Sequence, residues 1–445
     1  MKLADKGYYV RLSHFIYSKV FRAYTLCCNY RYRTLWIFFA LVQIYLYFAN
    51  EPLGSNTYTT SGDLKLYHFW IDRGTQFGIW PILNESSVYP PYAFIPMLLA
   101  GIFTYQNLFL FKLIWYILMI ILWGLGTHFL WKQVDKRSVS KISNNLTDIC
   151  RLGYGGCYFI PLFMLALGPV FTSRIDCVAG ALGLFGFISL QKNKSIAAAW
   201  FVVSAWIKVF VGANFTPLLF VARRHLIKVI IPAFIVTLGV VVIIPFCQSP
   251  TNVISFLTYQ SDRHLQIESI AATPAMILEL FTGTHDIMYN NSISTNEIVS
   301  PICNLISSVL NYLLIVAVGL VLYLIWQAKK VAETQLVLYG GLGIILALIV
   351  FNKVGSPQYF TALLPTLAYA LSLPNFTKWL KICLLSGFIA IFTQLVYPLS
   401  YDWLINYDNW HILGVLILTL RNILVVWLFI EVIISLYKLP RQKTV

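Results

Sequence analysis

The residue best placed to take a proton in this chain is Asp63, which lies in Gly62-Asp63-Leu64-Lys65-Leu66-Tyr67, a polar stretch held between two hydrophobic runs. The stretch extends from Glu51 to Pro91, contains a second acid, Asp72, and ends in Tyr89-Pro90-Pro91-Tyr92. A carboxylate within reach of a hydroxyl can accept its proton as that oxygen attacks. Cations nearby can hold the negative charge of a departing group. Candidates for both kinds of work recur later: Arg174 and Asp176, Lys208 in Trp206-Ile207-Lys208-Val209, and Arg263, His264, Gln266 and Glu268 in Ser261–Ser269. Lys353 and Gln358 follow in Asn352–Tyr359. Charges beside hydrocarbon are costly and mark pathways or sites. This mixture of acids and bases suits an anionic lipid headgroup next to a polar substrate.

The elements that must position these residues are membrane spans. The 445 residues are 59% hydrophobic and only 11% charged, against about a quarter charged in soluble domains. Mean hydropathy is +0.73, and apolar runs recur over the whole length with short polar breaks. The expected fold is all-α: a polytopic integral membrane protein with about 11–13 transmembrane helices and a large first outward loop at 51–91. One transmembrane domain covers 34–437, between a basic cytoplasmic segment at 1–33 and a cytoplasmic tail at 438–445. No cleavable signal peptide is expected. The net charge of +15 sits in loops between spans, which is the positive-inside pattern, so a nucleic-acid partner is not expected. The eight cysteines show no CxxC or His/Cys metal spacing, and the Cys27-Cys28 pair reads as plain sequence.

The first span, 34–49, runs outward. Pro91 to Trp131 is about forty apolar residues, roughly 60 Å as helix and enough for two crossings. The basic loop that follows demands one, so 92–104 is expected to lie in the interface or re-enter while 107–131 crosses. Spans follow at 152–171, 177–190 and 226–246. The stretch 195–221 lies between two basic loops and must enter and leave on one side, so it is expected to be two broken half-helices meeting at Lys208–Gly212, lining a cavity. The run 271–282 should dip, with 283–298 outside. Further spans are expected at about 299–326, 335–351, 359–373, 379–397 and 411–437.

With this order in place, the outward Gly-Asp-Leu-x-x-Tyr, Tyr-Pro-Pro-Tyr, the Trp-Ile-Lys-Val break at 206–209 and Ser-Pro-Gln-Tyr at 356–359 together resemble the polyprenyl-phosphate-dependent membrane glycosyltransferases of the GT-C superfamily. The likeness is nearest to the bacterial family 87 mannosyltransferases and looser to GPI mannosyltransferases. It spans about 60 to 360. The resemblance implies a GT-C-like fold and single-step inversion from a polyprenyl-phosphate sugar, with no nucleotide, cofactor or essential metal. It implies Asp63 as general base and Arg263, with Lys208 and Lys353, at the donor phosphate. Tyr67, Tyr89, Asp176, Arg174, Gln266, Glu268 and Gln358 are expected at sugar or acceptor.

Plainer readings stand beside these. Asp63 can be a solvated loop acid, Asp72 and Arg73 can pair on a loop helix, Lys208 can snorkel, and Tyr89-Pro90-Pro91 is also a helix start. Arg174 and Asp176 are two apart and do not face each other on a helix. Tyr67, Trp70 and Tyr89 are candidate walls for a sugar, and Asn290-Asn291-Ser292 fits the Asn-x-Ser pattern. The expected activity moves a hexose, mannose for preference, to a glycolipid or cell-surface glycan acceptor. The expected place is a bacterial plasma membrane, with the endoplasmic reticulum as alternative. The rival is a transporter or flippase of lipid-linked sugars, though no internal repeat of that kind is visible.

Overall fold

A computed structural model of the chain describes residues 31–50, 60–139, 153–258, 263–283, 287–290, 295–328, 333–407 and 410–439. The basic segment before Arg31 with Cys27-Cys28, the Asn-x-Ser pattern beyond Asn290, Asp262, Lys329-Lys330, Asp408 and the tail beyond Leu439 lie outside the described residues.

The first helix, α1 (Arg31–Asn50), is followed inside the polar loop by α2 (Gly62–Phe77). That helix buries Leu64, Tyr67, His68, Ile71 and Gly74, a spacing of three and four residues that turns one stripe inward. After a 3-10 turn at Pro91–Ala93 comes α3 (Phe94–Gly101). Its eight residues cover about 12 Å, too little to cross, whereas α4 (Leu108–Val139) is ample. The apolar run from 91 to 131 is therefore divided as the charge pattern requires.

Next come α5 (Gly155–Leu167), which tightens into a 3-10 turn at Gly168–Phe171, then α6 (Asp176–Leu190) and α7 (Lys194–Ile207). At Lys208 the backbone is extended, with φ −154° and ψ 122°. The chain restarts as α8 (Val209–Gly212) and α9 (Phe215–Val221). The expected break at Lys208 is thus observed. Gly212 allows it to fold back, since a Cβ there would lie 2.2 Å from the Ala205 Cβ. Gln191–Lys194 and Arg223–His225 line one cavity, so the segment begins and ends on one face.

The rest comprises α10 (Leu226–Val241), α11 (Ser255–Thr258), β1 (Leu265–Gln266), α12 (Thr273–Thr282), β2 (Ile287–Asn290), β3 (Thr295–Ile298), α13 (Pro301–Gln327) and α14 (Glu333–Val350). A 3-10 segment, Pro357–Leu363, leads into α15 (Leu364–Leu371), followed by α16 (Leu380–Gln394), α17 (Tyr401–Ile405) and α18 (His411–Tyr437). The strands form an antiparallel sheet in the order β1-β3-β2, pairing Leu265 with Ile298 and Ile287 with the same residue on its other side. This sheet is a departure from an all-helical reading. It forms because Leu265, Ile267 and Ile298 pack on Met276, Val396, Leu404 and Leu418 in a second, smaller apolar core.

Seven helical segments among the described residues are long and apolar enough to cross a bilayer. Six further apolar helices of 10–17 residues stand among the other runs. The other runs fold as shorter helices because local breaks cut them, at residues 102–107 after α3 and at Lys208 after α7. The spans are unequal in cover: 78% of the apolar window in Glu333–Val350 is buried and 11% in Arg223–Phe246. α14 is therefore central and α10 peripheral.

Candidate active site

Asp63 lies in the first turn of α2, and its Oδ1 is ion-paired with Nη1 of Arg174. Its side chain is 29% exposed and that of Arg174 10%, so the aspartate is sheltered without being sealed off. The pairing arises from a junction in the sequence around both residues. Asn50, fully buried at the end of α1, donates from Nδ2 to Thr172 Oγ1 at 2.9 Å and accepts at Oδ1 from Thr60 Oγ1 at 2.6 Å. Thr60 precedes Asp63 by three residues and Thr172 precedes Arg174 by two, so one amide holds both segments. Trp115 Nε1 adds a bond to the Thr172 carbonyl at 2.8 Å. Tyr397 lies near enough to Arg174 for the two to interact electrostatically.

Around this pair stand the aromatic residues singled out in the sequence. The hydroxyls of Tyr67 and Tyr89 are 3.3 Å apart, and the Ile175 amide donates to Tyr67 Oη at 3.3 Å. Trp70 stacks on Tyr67 at 6.1 Å between centroids and meets Tyr89 edge-on at 6.0 Å. Burial pushes both phenols up, Asp63 adding to the rise for each. They stay protonated and act as hydrogen-bonding walls.

The hairpin α6–α7 supplies the next pair. Its connection at residues 191–193 is short, so the two helices run antiparallel as neighbours. The first residue of α6, Asp176, then lies level with the residue that ends α7, Lys208, and Lys208 Nζ is 3.9 Å from Asp176 Oδ2. That ammonium also sits 4.9 Å from the Tyr89 ring centroid and 5.7 Å from that of Tyr359. Lys208 is therefore turned inward and does not snorkel. Tyr359 stacks on Phe210 at 4.3 Å. It belongs to the cluster through a motif, Ser-Pro-Gln-Tyr, from which sequence reasoning selected Gln358. No hydrogen bond or ion pair joins Gln358 to the cluster among the described residues.

Glu268 forms the third part. Gln266 Nε2 donates to Glu268 Oε2 at 2.8 Å, while Gln266 Oε1 accepts from the Gly355 amide at 3.0 Å and the Gln266 amide donates to the Lys353 carbonyl at 3.0 Å. Gly355 can only be glycine here, because a Cβ would lie 2.2 Å from the Glu268 carbonyl oxygen. From α18, Arg421 donates to the Glu268 carbonyl and to Asn422 Oδ1 at 2.8 Å. Asn422 Nδ2 holds Thr273 Oγ1 at 2.7 Å and the Ser269 carbonyl at 3.3 Å. Arg421 is 1% exposed. It was not singled out in the sequence, although a charge inside the apolar run 411–437 is the signal that could have found it.

Glu268 Oε1 and Arg263 Nε are buried without a hydrogen-bond partner among the described residues. Orphaned buried polar atoms are uncommon and call for a ligand or a mechanism. Burial raises the Glu268 carboxyl from 4.5 to about 7, against the opposing pull of Arg421 and Arg174. A carboxyl held protonated by the fold contributes stability below its ordinary value that is lost as pH rises through about 7, amounting to roughly 3 kcal/mol. Glu268→Gln is neutral throughout, so its melting temperature is expected to gain on the parent's between pH 5 and 8. Parallel melting curves over that range would contradict the placement.

One expectation is corrected. Asp72 and Arg73 do not pair: Arg73 Nη1 reaches Glu85 Oε1 at 2.9 Å, while Asp72 accepts from the Gln106 amide at 3.2 Å and faces His68 Nδ1 at 3.8 Å. Adjacent helical residues point about 100° apart, which separates them. His264 is exposed and bonds Asn304 at 3.1 Å, at the rim rather than in the cluster. The side chain of Arg263 is partly buried, close enough to Tyr359 to act on its hydroxyl.

Against Tyr89, the chain continues as extended Pro90 and the 3-10 turn into the wall of an apolar groove of about 490 Å³. Trp80, Ile82, Pro91, Tyr92, Phe94 and Phe246 are among its lining residues. Trp70 touches both, meeting Phe94 at 5.8 Å and Tyr89 at 6.0 Å between centroids. A charged, hydrogen-bonding cluster and an apolar groove thus lie on either side of Trp70. No protein-family model matches the chain, and no curated protein matches it.

Proposed function

We propose that the protein is an inverting membrane glycosyltransferase that moves a hexose, mannose for preference, from a polyprenyl-phosphate sugar to a glycolipid or cell-surface glycan. The observation that carries this reading is the junction of the Asp63–Arg174 cluster with the apolar groove. A donor made of a long apolar chain, a phosphate and a sugar needs those three environments in that order. The prenyl chain lies along Pro91, Tyr92 and Phe246, the phosphate among Arg263, Lys208 and Lys353, and the sugar against Tyr67, Trp70 and Tyr89. The acceptor hydroxyl meets Asp63, which takes its proton as the oxygen attacks the anomeric carbon. The bond from that carbon to the phosphate oxygen breaks, and the cations hold the phosphate charge. Glu268, Gln266 and Asp176 bind hydroxyls of sugar or acceptor. The site works on the outward face of a GT-C-like fold, in a bacterial plasma membrane in preference to an endoplasmic reticulum.

Arg263→Ala tests the phosphate assignment. It is expected to raise KM for the polyprenyl-phosphate sugar by about tenfold or more while changing KM for the acceptor little, as loss of a hydrogen bond to a charged group costs about 1.5–3 kcal/mol. Equal effects on both substrates would contradict it. A transporter or flippase is the second reading, favoured by the broken helix at Lys208, since interrupted helices also build transport sites.

A further inference from the structure

A second, larger cavity lies at the other end of α6. α6 is 15 residues long, about 21 Å from Asp176 at the candidate active site to Leu190 at its far end, where a cavity of about 1050 Å³ opens. Its polar side carries Lys192, Lys194, Arg223, Arg224, Lys228 and His225. One carboxylate, Glu333, is among them, and it is already paired with Lys194 at 2.5 Å. Lys192, Arg223, Arg224 and Lys228 make no ion pair among the described residues. The N-terminus of α7, with Asn193 capping its Ser195 and Ile196 amides, adds the positive end of a helix.

Basic loops alone are what the positive-inside rule gives any multispanning protein. Here, however, the cations gather around one open-mouthed cavity, and its other walls are apolar. Val229 and Ile325 are buried in the floor, while Leu226 and Trp326 are exposed at the edge. Those residues belong to Arg223–Phe246 and Pro301–Gln327, the two crossing segments with the least protein cover, at 11% and 22% buried. A cationic space between two lipid-facing helices fits a phosphate with acyl chains attached.

We infer that this cavity binds the phosphate of an anionic phospholipid from the leaflet on the basic face, its acyl chains lying along α10 and α13. The site is separate from the sugar-transfer reading and stands or falls without it. Free phosphate shares the recognising chemistry, so both sources belong in the experiment.

The full chain, purified in mild detergent, is titrated with phosphatidylglycerol or phosphatidylcholine, and retained lipid is counted by native mass spectrometry. Phosphatidylglycerol is expected to be retained in preference, and R223Q/R224Q/K228Q to reduce its retention by about tenfold or more. K132Q/K136Q, which neutralises exposed lysines at the same end of α4, where Arg137 bonds Gln191 at 2.7 Å, should leave it unchanged. Equal loss in both variants would reduce the cavity to general surface charge and overturn the inference. Displacement of the lipid by millimolar inorganic phosphate would make soluble phosphate the occupant and overturn the lipid assignment. Should the triple variant fail to fold, the unmodified chain still decides: preference for the anionic lipid that weakens with salt supports the inference, and equal retention of the two lipids overturns it.

Discussion

Asp63→Asn is expected to reduce the proposed hexose transfer from a polyprenyl-phosphate sugar by a factor on the order of 10²–10⁴, while the protein still reaches the membrane. The amide cannot take a proton, yet it has nearly the same shape. It also leaves Arg174, whose side chain is only 10% exposed, without its anionic partner, so a fall in melting temperature is expected alongside. Asp63→Glu separates the two effects, since it restores the charge against Arg174 but misplaces the carboxylate. The expected order is a melting temperature near the parent's for Glu and transfer reduced in both variants. Activity retained in Asp63→Asn would move the base elsewhere, to Asp176 or Asp72.

The second large effect is at Arg421. Replacing it by Leu is expected to destabilise the protein by about 2–5 kcal/mol, because two buried acceptors, the Glu268 carbonyl and Asn422 Oδ1, lose their donor at about 1–3 kcal/mol each. The guanidinium donates to the Glu268 carbonyl and the Asn422 side chain, and Asn422 in turn holds Ser269 and Thr273. Losing it releases the 266–273 segment from α18. Arg421 also holds the Glu268 carboxyl below the value that burial alone would set, so any pH-dependent transition of Glu268 shifts upward in the variant. Arg421→Lys keeps the charge but not the fork of donors, and should recover part of the stability. Thermal unfolding in detergent measures both. A melting temperature unchanged in Arg421→Leu would mean that the arginine is a spectator.

Much of the architecture was legible because membrane spans are long, apolar and flanked by charge. The break at Lys208 followed from arithmetic alone: the stretch between two basic loops was too short to cross twice. The grouping of Asp63, Tyr67, Tyr89, Arg174, Asp176 and Lys208 followed from placing each in an outward loop or at an outward span end. What remained hidden was tertiary. Nothing near Asn50 in sequence says that its amide will join Thr60 to Thr172. Arg174 and Asp176 do not pair with each other but with Asp63 and Lys208, choices made by helix packing. The sheet at 265–298 was not legible either, since its strands are two to four residues long and much of their apolar floor, Val396, Leu404 and Leu418, comes from far along the chain.

If a sugar leaves its lipid phosphate at Asp63, purified protein in liposomes, given polyprenyl-phosphate-mannose and a glycan acceptor, yields two products that mass analysis can follow. Free polyprenyl phosphate and acceptor heavier by one hexose are expected in equal amounts, with inverted linkage. Intact polyprenyl-phosphate-mannose carried to the opposite leaflet, with no acceptor modified, would contradict that expectation.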